Sequence, residues 1–499
     1  MGDNVATRRR FLFLVLLGFF LFSIALRVAL TLNREVDIDE FQHLHAAWML
    51  SQHYVLYRDF WENHTPLFYY LLLPLFRFCR EGPGLILAAR VIMSSMAVGI
   101  LFLTYALARI DHDRLTSALA VLILSCMAIF AEKSIEVRPD QFVIILWLAG
   151  LWISVQASSD RLRFGFFAAG LLLGIAFLFS PKALLPFAAL SVTFMGQSYI
   201  RESRRHAFPR YLRIQSSYTL GFLIPIVVCL AYFFHLGTLK VMMASTIFDN
   251  FTYPDIHRPF YLLELRHICF FLLALTGIVI HLRGFKARSV SVRANELGLL
   301  IPTLWLLLVF LFVQRAPYPQ SVLLFAPMLA IYAAQAFRKS MDGILTARRD
   351  AVGTTDEEFR SLTKVARGLL FLTATMAAGV IIPCAILALK ARPFTRTNVA
   401  QFERMAYVLN HTRTTDAVFD GESAYIFRPQ AYFYGSLFHA IEGRIQRGEI
   451  KPGIPESLMA TNCRLIIYDE RVSTLPQSVQ LFLKVRYAPS GFPGVYLAR

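Results

Sequence analysis

The spacing of its charges most limits what this chain can fold into. Only 17% of the 499 residues are Asp, Glu, Lys or Arg, against 56% hydrophobic, and the charges gather in clusters. Soluble chains are about 45–50% apolar. The runs between the clusters are roughly 17–25 residues long, enough to cross a bilayer as helix. We place them at 11–32, 85–108, 115–131, 141–156, 164–180, 183–199, 216–236, 267–282, 297–313, 320–337 and 368–389. The expected fold is an α-helical polytopic membrane protein with about eleven transmembrane helices.

The net charge is +17, and a basic chain can be a nucleic-acid binder. The placement of the charge excludes that class. Arg8, Arg9 and Arg10 precede the first run. Arg201, Arg204, Arg205, Arg210 and Arg213 share one loop, Lys286, Arg288 and Arg293 a second, and Arg338, Lys339, Arg348 and Arg349 a third. All fall on the N-terminal side, as the positive-inside rule expects of a cytoplasmic face. An odd number of spans then puts the C-terminus outside. The first run with its arginines also has the form of a signal peptide. No A-x-A site precedes the acidic stretch that follows, so an uncleaved helix is expected. The stretch 66–79, PLFYYLLLPLFRFC, is too short to span and carries Pro74 and Arg77. It reads as interfacial or re-entrant; were it a span, the 201–213 cluster would move outside.

We divide the chain into a membrane domain, 1–390, whose first outer loop is 33–84, and a soluble domain, 391–499. The latter alternates helix-like stretches with strand-like runs, DAVFDG, RLIIYDE and GVYLAR, and reads as a small α/β unit on the outer side. Cys126, Cys229, Cys269 and Cys384 lie in apolar runs, where cysteine acts as a small hydrophobe. Nothing in the sequence fixes a distance between Cys79 and Cys463 that would favour a disulfide.

With this topology the unusual polar residues converge on the outer face. EVDIDEFQHLHAAW, residues 35–48, follows the first helix, and YRDFWENHTPLFYY follows in the same loop. EKSIEVRPD (132–140), FSPKALLP with Lys182, the loop 249–261 and QRAPYPQ (314–320) are the other outer segments. Within the spans, Arg27 is the charge that stands out, and an intramembrane arginine usually has a partner. A carboxylate–cation–aromatic surface at the membrane boundary suits a substrate that is half lipid and half polar, such as a lipid-phosphate-linked sugar. Transfer needs a carboxylate to take the acceptor's proton; Asp39 or Glu40 could serve. It also needs positive charge or a metal on the departing phosphate; Lys182, Arg258, Arg315 or Arg27 could supply it.

DEFQHLHAAW followed by YRDFWENHTPLFYYLLLPLF resembles the first outer loop of the GT-C glycosyltransferases. Among these it is most similar to the bacterial protein O-mannosyltransferase-like and aminoarabinose-transferase-like families. VRPD in the second outer loop and YPQSVLLFAPMLAI late in the chain are also similar to these families. The resemblance covers 11–389. It implies an inverting glycosyltransferase that uses a polyprenyl-phosphate sugar at the outer face of a bacterial inner membrane, with the C-terminal domain periplasmic. It implies Asp39 as base with Glu40 beside it, and Glu62 and Asp140 at the family's other acidic positions. Thr65 stands where a second proline is common, and the C-terminal domain carries no motif of the family. The expected partners are the carrier-linked sugar, membrane lipids and an acceptor that is glycan, lipid or protein.

Blander roles compete at each position. Asp39 and Glu40 suit a helix N-terminus. His43 and His45, two apart, point to different helix faces; contact with acceptor is expected of His43 and His64 before metal binding. No cofactor is required by the pattern, and a divalent metal is the one candidate. Arg138 and Asp140 form a natural interfacial ion pair. Lys182 has the form of a snorkelling anchor, and Tyr253, Tyr318 and Trp61 of interfacial aromatics. The sequons at Asn63, Asn250 and Asn410 matter only in a eukaryotic secretory setting. Two rival classes remain, a lipid or solute transporter and a non-catalytic relative that binds a lipid carrier. A transporter would place its polar groups near the midplane.

Overall fold

The computed structural model describes residues 2–156, 162–249, 265–314, 318–350, 382, 386, 397–437, 439–451 and 453–499. Among them, helices that are long and apolar enough to cross a membrane are Pro83–Asp111, Pro181–Arg201, Arg205–His235, Ile268–Phe285 and Val290–Phe312. Shorter apolar helices, Leu17–Asn33, Arg114–Ser125, Asp140–Gln156 and Phe164–Phe179, fall on other expected passes. The last expected pass, 368–389, and the domain boundary at 390–391 lie outside the described residues.

The chain rises through α1 (Gly2–Asn33), crosses the first outer loop as α2 (Ile38–Ser51) and α3 (Leu67–Phe78), and returns in α4 (Pro83–Asp111). The third pass breaks at Cys126 and Met127 into α5 (Arg114–Ser125) and α6 (Ala128–Lys133). α7 (Asp140–Gln156), α8 (Leu162–Phe179), α9 (Leu184–Arg201) and α10 (Arg204–His235) follow as antiparallel passes. At the end of α10's pass come α11 (Leu239–Met243) and a π-helical turn, Ala244–Phe248. Then come α12 (Leu265–Phe285) and α13 (Val290–Phe312). The tenth pass enters as a 3-10 turn, Pro319–Leu324, and becomes α14 (Ala326–Asp350).

α3 has 12 residues with Pro74 inside it, about 18 Å of helix, which is too short to span. The basic cluster 201–213 is not a loop, as expected from its charge, but the turn Glu202–Ser203 and the first turns of α10. Charge density marks a membrane boundary and says nothing about where a helix starts.

α8 and α10 cross at backbone contact. A Cβ at Gly170 would fall 1.9 Å from the Tyr218 carbonyl oxygen, and one at Gly174 2.3 Å from that of Phe222. This small-xxx-small face lets membrane helices approach closely, and it fixes the pass that ends at Lys182.

The C-terminal unit opens with α15 (Val399–His411) and holds a four-stranded sheet of β1 (Val418–Phe419), β2 (Leu465–Ile467), β3 (Tyr487–Pro489) and β4 (Val495–Ala498), in the order β1-β2-β4-β3. β1 pairs parallel with β2, and β4 antiparallel with both β2 and β3. β1, β2 and β4 fall on the three strand-like runs; β3 was not foreseen, because YAP has no apolar alternation. The unit rests on the first outer loop. His45 Nδ1 lies 2.7 Å from the Ile426 carbonyl, the Trp61 N–H donates to the Phe433 carbonyl at 3.0 Å, and Arg428 meets Glu81 at 3.1 Å. Cys79 and Cys463 are both free thiols.

Candidate active site

The site is built outward from the start of α2. Asp37 caps this helix, accepting the Asp39 N–H at 3.1 Å, and Glu40 accepts the Asp37 N–H at 2.9 Å in return. This capping box satisfies two backbone donors at the helix start reciprocally. Asp37 is therefore the cap, a role the sequence offered to its neighbours.

Glu40 is also gripped by Arg90 of α4. Nη2 lies 2.6 Å from Oε1 and Nε 2.9 Å from Oε2, and both side chains are fully buried. Arg90 further donates to the carbonyls of Arg34 at 2.8 Å and Glu35 at 3.0 Å, and the Val137 N–H donates to Glu40 Oε2 at 3.1 Å. One ion pair thus ties the end of α1, the start of α2, α4 and the α6–α7 loop. Burial works against the Glu40 charge, but Arg90 outweighs it and holds the carboxyl below its usual range. Both oxygens are occupied and closed to solvent, and through them Glu40 ties these elements together. Arg90 was overlooked although it lies inside the expected span 85–108. A buried arginine in an apolar run requires a partner, and that is the signal that finds it.

Glu40→Gln retains an oxygen for the capping box but leaves Arg90 charged and unpaired. Removing one member of a buried pair costs about 3–5 kcal/mol. Thermal unfolding in detergent should show the variant melting well below the wild type; equal melting would show that the pair carries no structural weight.

Asp39 sits in the same helical turn but opens outward. Its Oδ2 pairs with Arg138 Nη1, and its side chain is 27% exposed. Arg138 Nε lies 3.4 Å from Asp140 Oδ2, and Asp140 Oδ1 is 2.7 Å from Lys182 Nζ. The result is a chain of alternating charge, Asp39–Arg138–Asp140–Lys182. Its inner members are 7% and 8% exposed, whereas Lys182 at the far end is 29% exposed. A carboxylate and an ammonium are thus presented at the two open ends of one network.

Each member is set by its backbone. Asp140 opens α7, where the helix dipole favours a carboxylate. Lys182 rides on a 3-10 turn, Pro181–Ala183, whose cap Ser180 accepts the Lys182 N–H at 3.4 Å. The loop carrying Arg138 is braced from below. Arg34 binds Glu132 at 2.8 Å and Glu136 at 2.7 Å, and Lys133 binds Glu136 at 2.7 Å. Asp37 faces this loop, with Lys133 at 3.8 Å and Arg138 at 3.6 Å. Burial disfavours the Asp37 charge, but these two cations outweigh it and lower its pKa.

A second wall comes from Glu62, which is nearly buried. Its Oε1 accepts from Gln42, takes the Asn63 N–H at 2.9 Å and lies 3.1 Å from His64 Nδ1. His43 stands edge-on to His64 with ring centroids 4.7 Å apart, and to Phe68 at 5.2 Å. Burial first, then the charges of His64, Arg138 and Lys182, push the His43 imidazole far below its usual pKa. The shift favours the neutral ring, and both ring nitrogens lack a hydrogen-bond partner among the described residues. Tyr69 of α3 completes the wall. Burial, then Glu62 and Tyr57, raise its phenol well above the usual range, and Asp39 adds to the shift. Tyr318 is raised by burial and by Asp39, which sets it at the same mouth. Tyr69 was not singled out from sequence, because its apolar run reads as lipid contact.

The two histidines diverge as the spacing predicts, His45 turning to Tyr425 at 4.9 Å. Arg27 donates to Ser134 and lies over the Phe130 ring at 4.6 Å, between α1 and α6. Arg258 and Arg315 lie outside the described residues. Among the described residues no group of three His, Cys, Asp or Glu side chains is arranged to hold a metal ion.

Comparison with known proteins bears on this arrangement. A sequence family described as dolichyl-phosphate-mannose-protein mannosyltransferase matches residues 63–235. No curated protein matches the chain. Among solved structures, apo ArnT from Cupriavidus metallidurans superposes with a TM-score of 0.62 at 13% identity, covering 97% of each chain. ArnT from the same organism bound to undecaprenyl phosphate gives 0.57 at 15% identity, over 83% of this chain and 85% of that one. The archaeal oligosaccharyltransferase AglB from Archaeoglobus fulgidus, in complex with an inhibitory peptide and a dolichol-phosphate, gives 0.57 at 13% identity, over 97% and 74%. The chain has the fold of the GT-C membrane glycosyltransferases.

Proposed function

We propose that this chain transfers a monosaccharide from a polyprenyl-phosphate carrier to an acceptor hydroxyl, with inversion at the sugar's C1. The observation that carries the reading is the charge chain with an open carboxylate at one end and an open ammonium at the other. Asp39 takes the acceptor proton as its oxygen attacks C1 from the face opposite the phosphate. Lys182 binds the carrier phosphate and stabilises the charge that develops as it leaves. Arg138 is a positioning residue that spaces the two carboxylates, and Asp140 aims Lys182. Neutral His43, with His64 and Glu62, offers hydrogen-bonding groups to the acceptor or the sugar, and Tyr318 flanks the mouth. Arg258 and Arg315 are kept as further phosphate ligands. The carriers named with ArnT and AglB, undecaprenyl phosphate and dolichol-phosphate, belong to the same chemical class and support the assignment.

The acceptor is a glycan, lipid or protein of the cell envelope. Mass spectrometry of envelope glycolipids, glycans and glycoproteins from a deletion strain should reveal one lost monosaccharide, restored by the wild-type gene and not by Asp39→Asn. An unchanged envelope profile would count against the activity.

We further propose a bacterial inner-membrane protein with a cytoplasmic N-terminus and with residues 391–499 as a periplasmic domain. In a background lacking native cysteines, an impermeant thiol reagent added outside should label a cysteine at exposed positions 58 or 413, but not at 205. Labelling at 205 would reverse the orientation.

A further inference from the structure

The opposite end of the bundle holds a built cleft that the proposed chemistry does not use. A cavity of about 290 Å³ lies between α8, the end of α9 and the first turns of α10, lined by Phe166, Glu202, His206, Arg210 and Arg213. A narrower cavity shares Phe166, Arg210 and Ile214 with it and runs inward to Gln197, Ser198 and Arg201. α9 starts beside Lys182 and runs 18 residues to Arg201, about 27 Å, so this cleft and the candidate active site face opposite membrane surfaces.

Its charges do not balance. Arg210 and Arg213 line the larger cavity with a single carboxylate, Glu202, which pairs with Arg210 at 2.8 Å, and Arg201 joins Arg210 on the narrower one. Arg201 donates to the neutral Asn295 side chain at 2.8 Å, and Arg213 makes no ion pair among the described residues. On the narrower cavity Ser198 is 1% exposed, and its hydroxyl has no hydrogen-bond partner among the described residues. A helical serine usually bonds back to a carbonyl one turn earlier; this one does not. The cleft also has an apolar side, formed by Phe166, Pro209 and Ile214.

Arg210 and Arg213 on one cavity, Arg201 and a spare buried hydroxyl on its narrower neighbour, and an apolar lining match an anionic oxyacid carried on acyl chains. Basic pockets between transmembrane helices hold lipid head groups in this way, because phosphate oxygens accept strong charge-assisted bonds from guanidinium. We propose that this cleft binds the phosphate of an anionic phospholipid in the leaflet opposite the candidate active site. Acyl chains would leave the cleft past Pro209, which lines it. A free phosphate would use the same arginines but gain nothing from that apolar side.

Native mass spectrometry of the purified, delipidated full-length chain tests this, with phosphatidylglycerol or phosphatidylcholine added back. Wild type should retain one phosphatidylglycerol and no phosphatidylcholine. Arg213→Gln should weaken retention by about tenfold through loss of one charge-assisted contact, and Ser198→Ala should weaken it less. Lys286→Gln removes an exposed charge on the same side outside the cleft and should change nothing. Four results would overturn the proposal: equal retention of phosphatidylcholine, an equal loss in Lys286→Gln, wild-type retention in both Arg213→Gln and Ser198→Ala, or displacement by inorganic phosphate as complete as by excess phosphatidylglycerol.

Discussion

Asp39→Asn should express and fold normally, bind the donor and transfer sugar about 10²–10⁴ times more slowly, the contribution typical of a positioned general base. The replacement is nearly isosteric. The helix start does not depend on it, because Asp37 supplies the cap and Glu40 closes the box. Arg138 keeps its contact with Asp140 at 3.4 Å, so the cation network survives. What disappears is a carboxylate that is 27% exposed and able to take a proton. Asp37→Asn is the matched control. Its carboxylate is similarly exposed but faces Lys133 and Arg138, and it should cost transfer far less while weakening the start of α2. The readout is single-turnover transfer at saturating donor, with donor affinity measured separately. If Asp39→Asn transfers at the wild-type rate, the base lies elsewhere and Glu62 and Asp140 are the next carboxylates to test.

Lys182→Met should cost donor affinity by about 10–150-fold, the loss expected when one hydrogen bond to a charged group goes. Lys182 touches Asp140 at 2.7 Å and is 29% exposed, so its remaining donors are free for a ligand. Asp140 keeps Arg138 when Lys182 is gone, which separates lost binding from lost fold. Lys182→Arg preserves the charge and should recover most of the affinity. Binding of a polyprenyl phosphate to the purified protein is the measurement. Unchanged binding by Lys182→Met would move the phosphate to Arg258 and Arg315.

The passes were legible because a bilayer imposes a length on every apolar run, and the short 66–79 stretch was legible by failing that length. The outer-face constellation was legible in its parts: Asp39, Arg138, Asp140 and Lys182 were each picked out, and they meet. Their order in one network was not, because a contact between residue 140 and residue 182 depends on how α7 and α8 return to the same surface. The Glu40–Arg90 pair was not legible for a related reason. Glu40 shares a motif with Asp39, but adjacent residues on a helix point about 100° apart. One faces the mouth and the other faces α4. Tyr69 was hidden by composition, since an aromatic in an apolar run looks the same whether it meets lipid or a carboxylate. The start of α10 among five arginines was hidden because arginine is a good helix former as well as a boundary marker.

The most direct test of the central claim follows both halves of the reaction at once. Purified wild-type protein and Asp39→Asn, in vesicles carrying a polyprenyl-phosphate monosaccharide, are mixed with envelope extract as acceptor source, and free polyprenyl phosphate is measured over time. The account predicts acceptor-dependent release of carrier by wild type and carrier bound but almost unreleased by Asp39→Asn. Equal release by the two proteins, or no binding of the carrier by either, would contradict it.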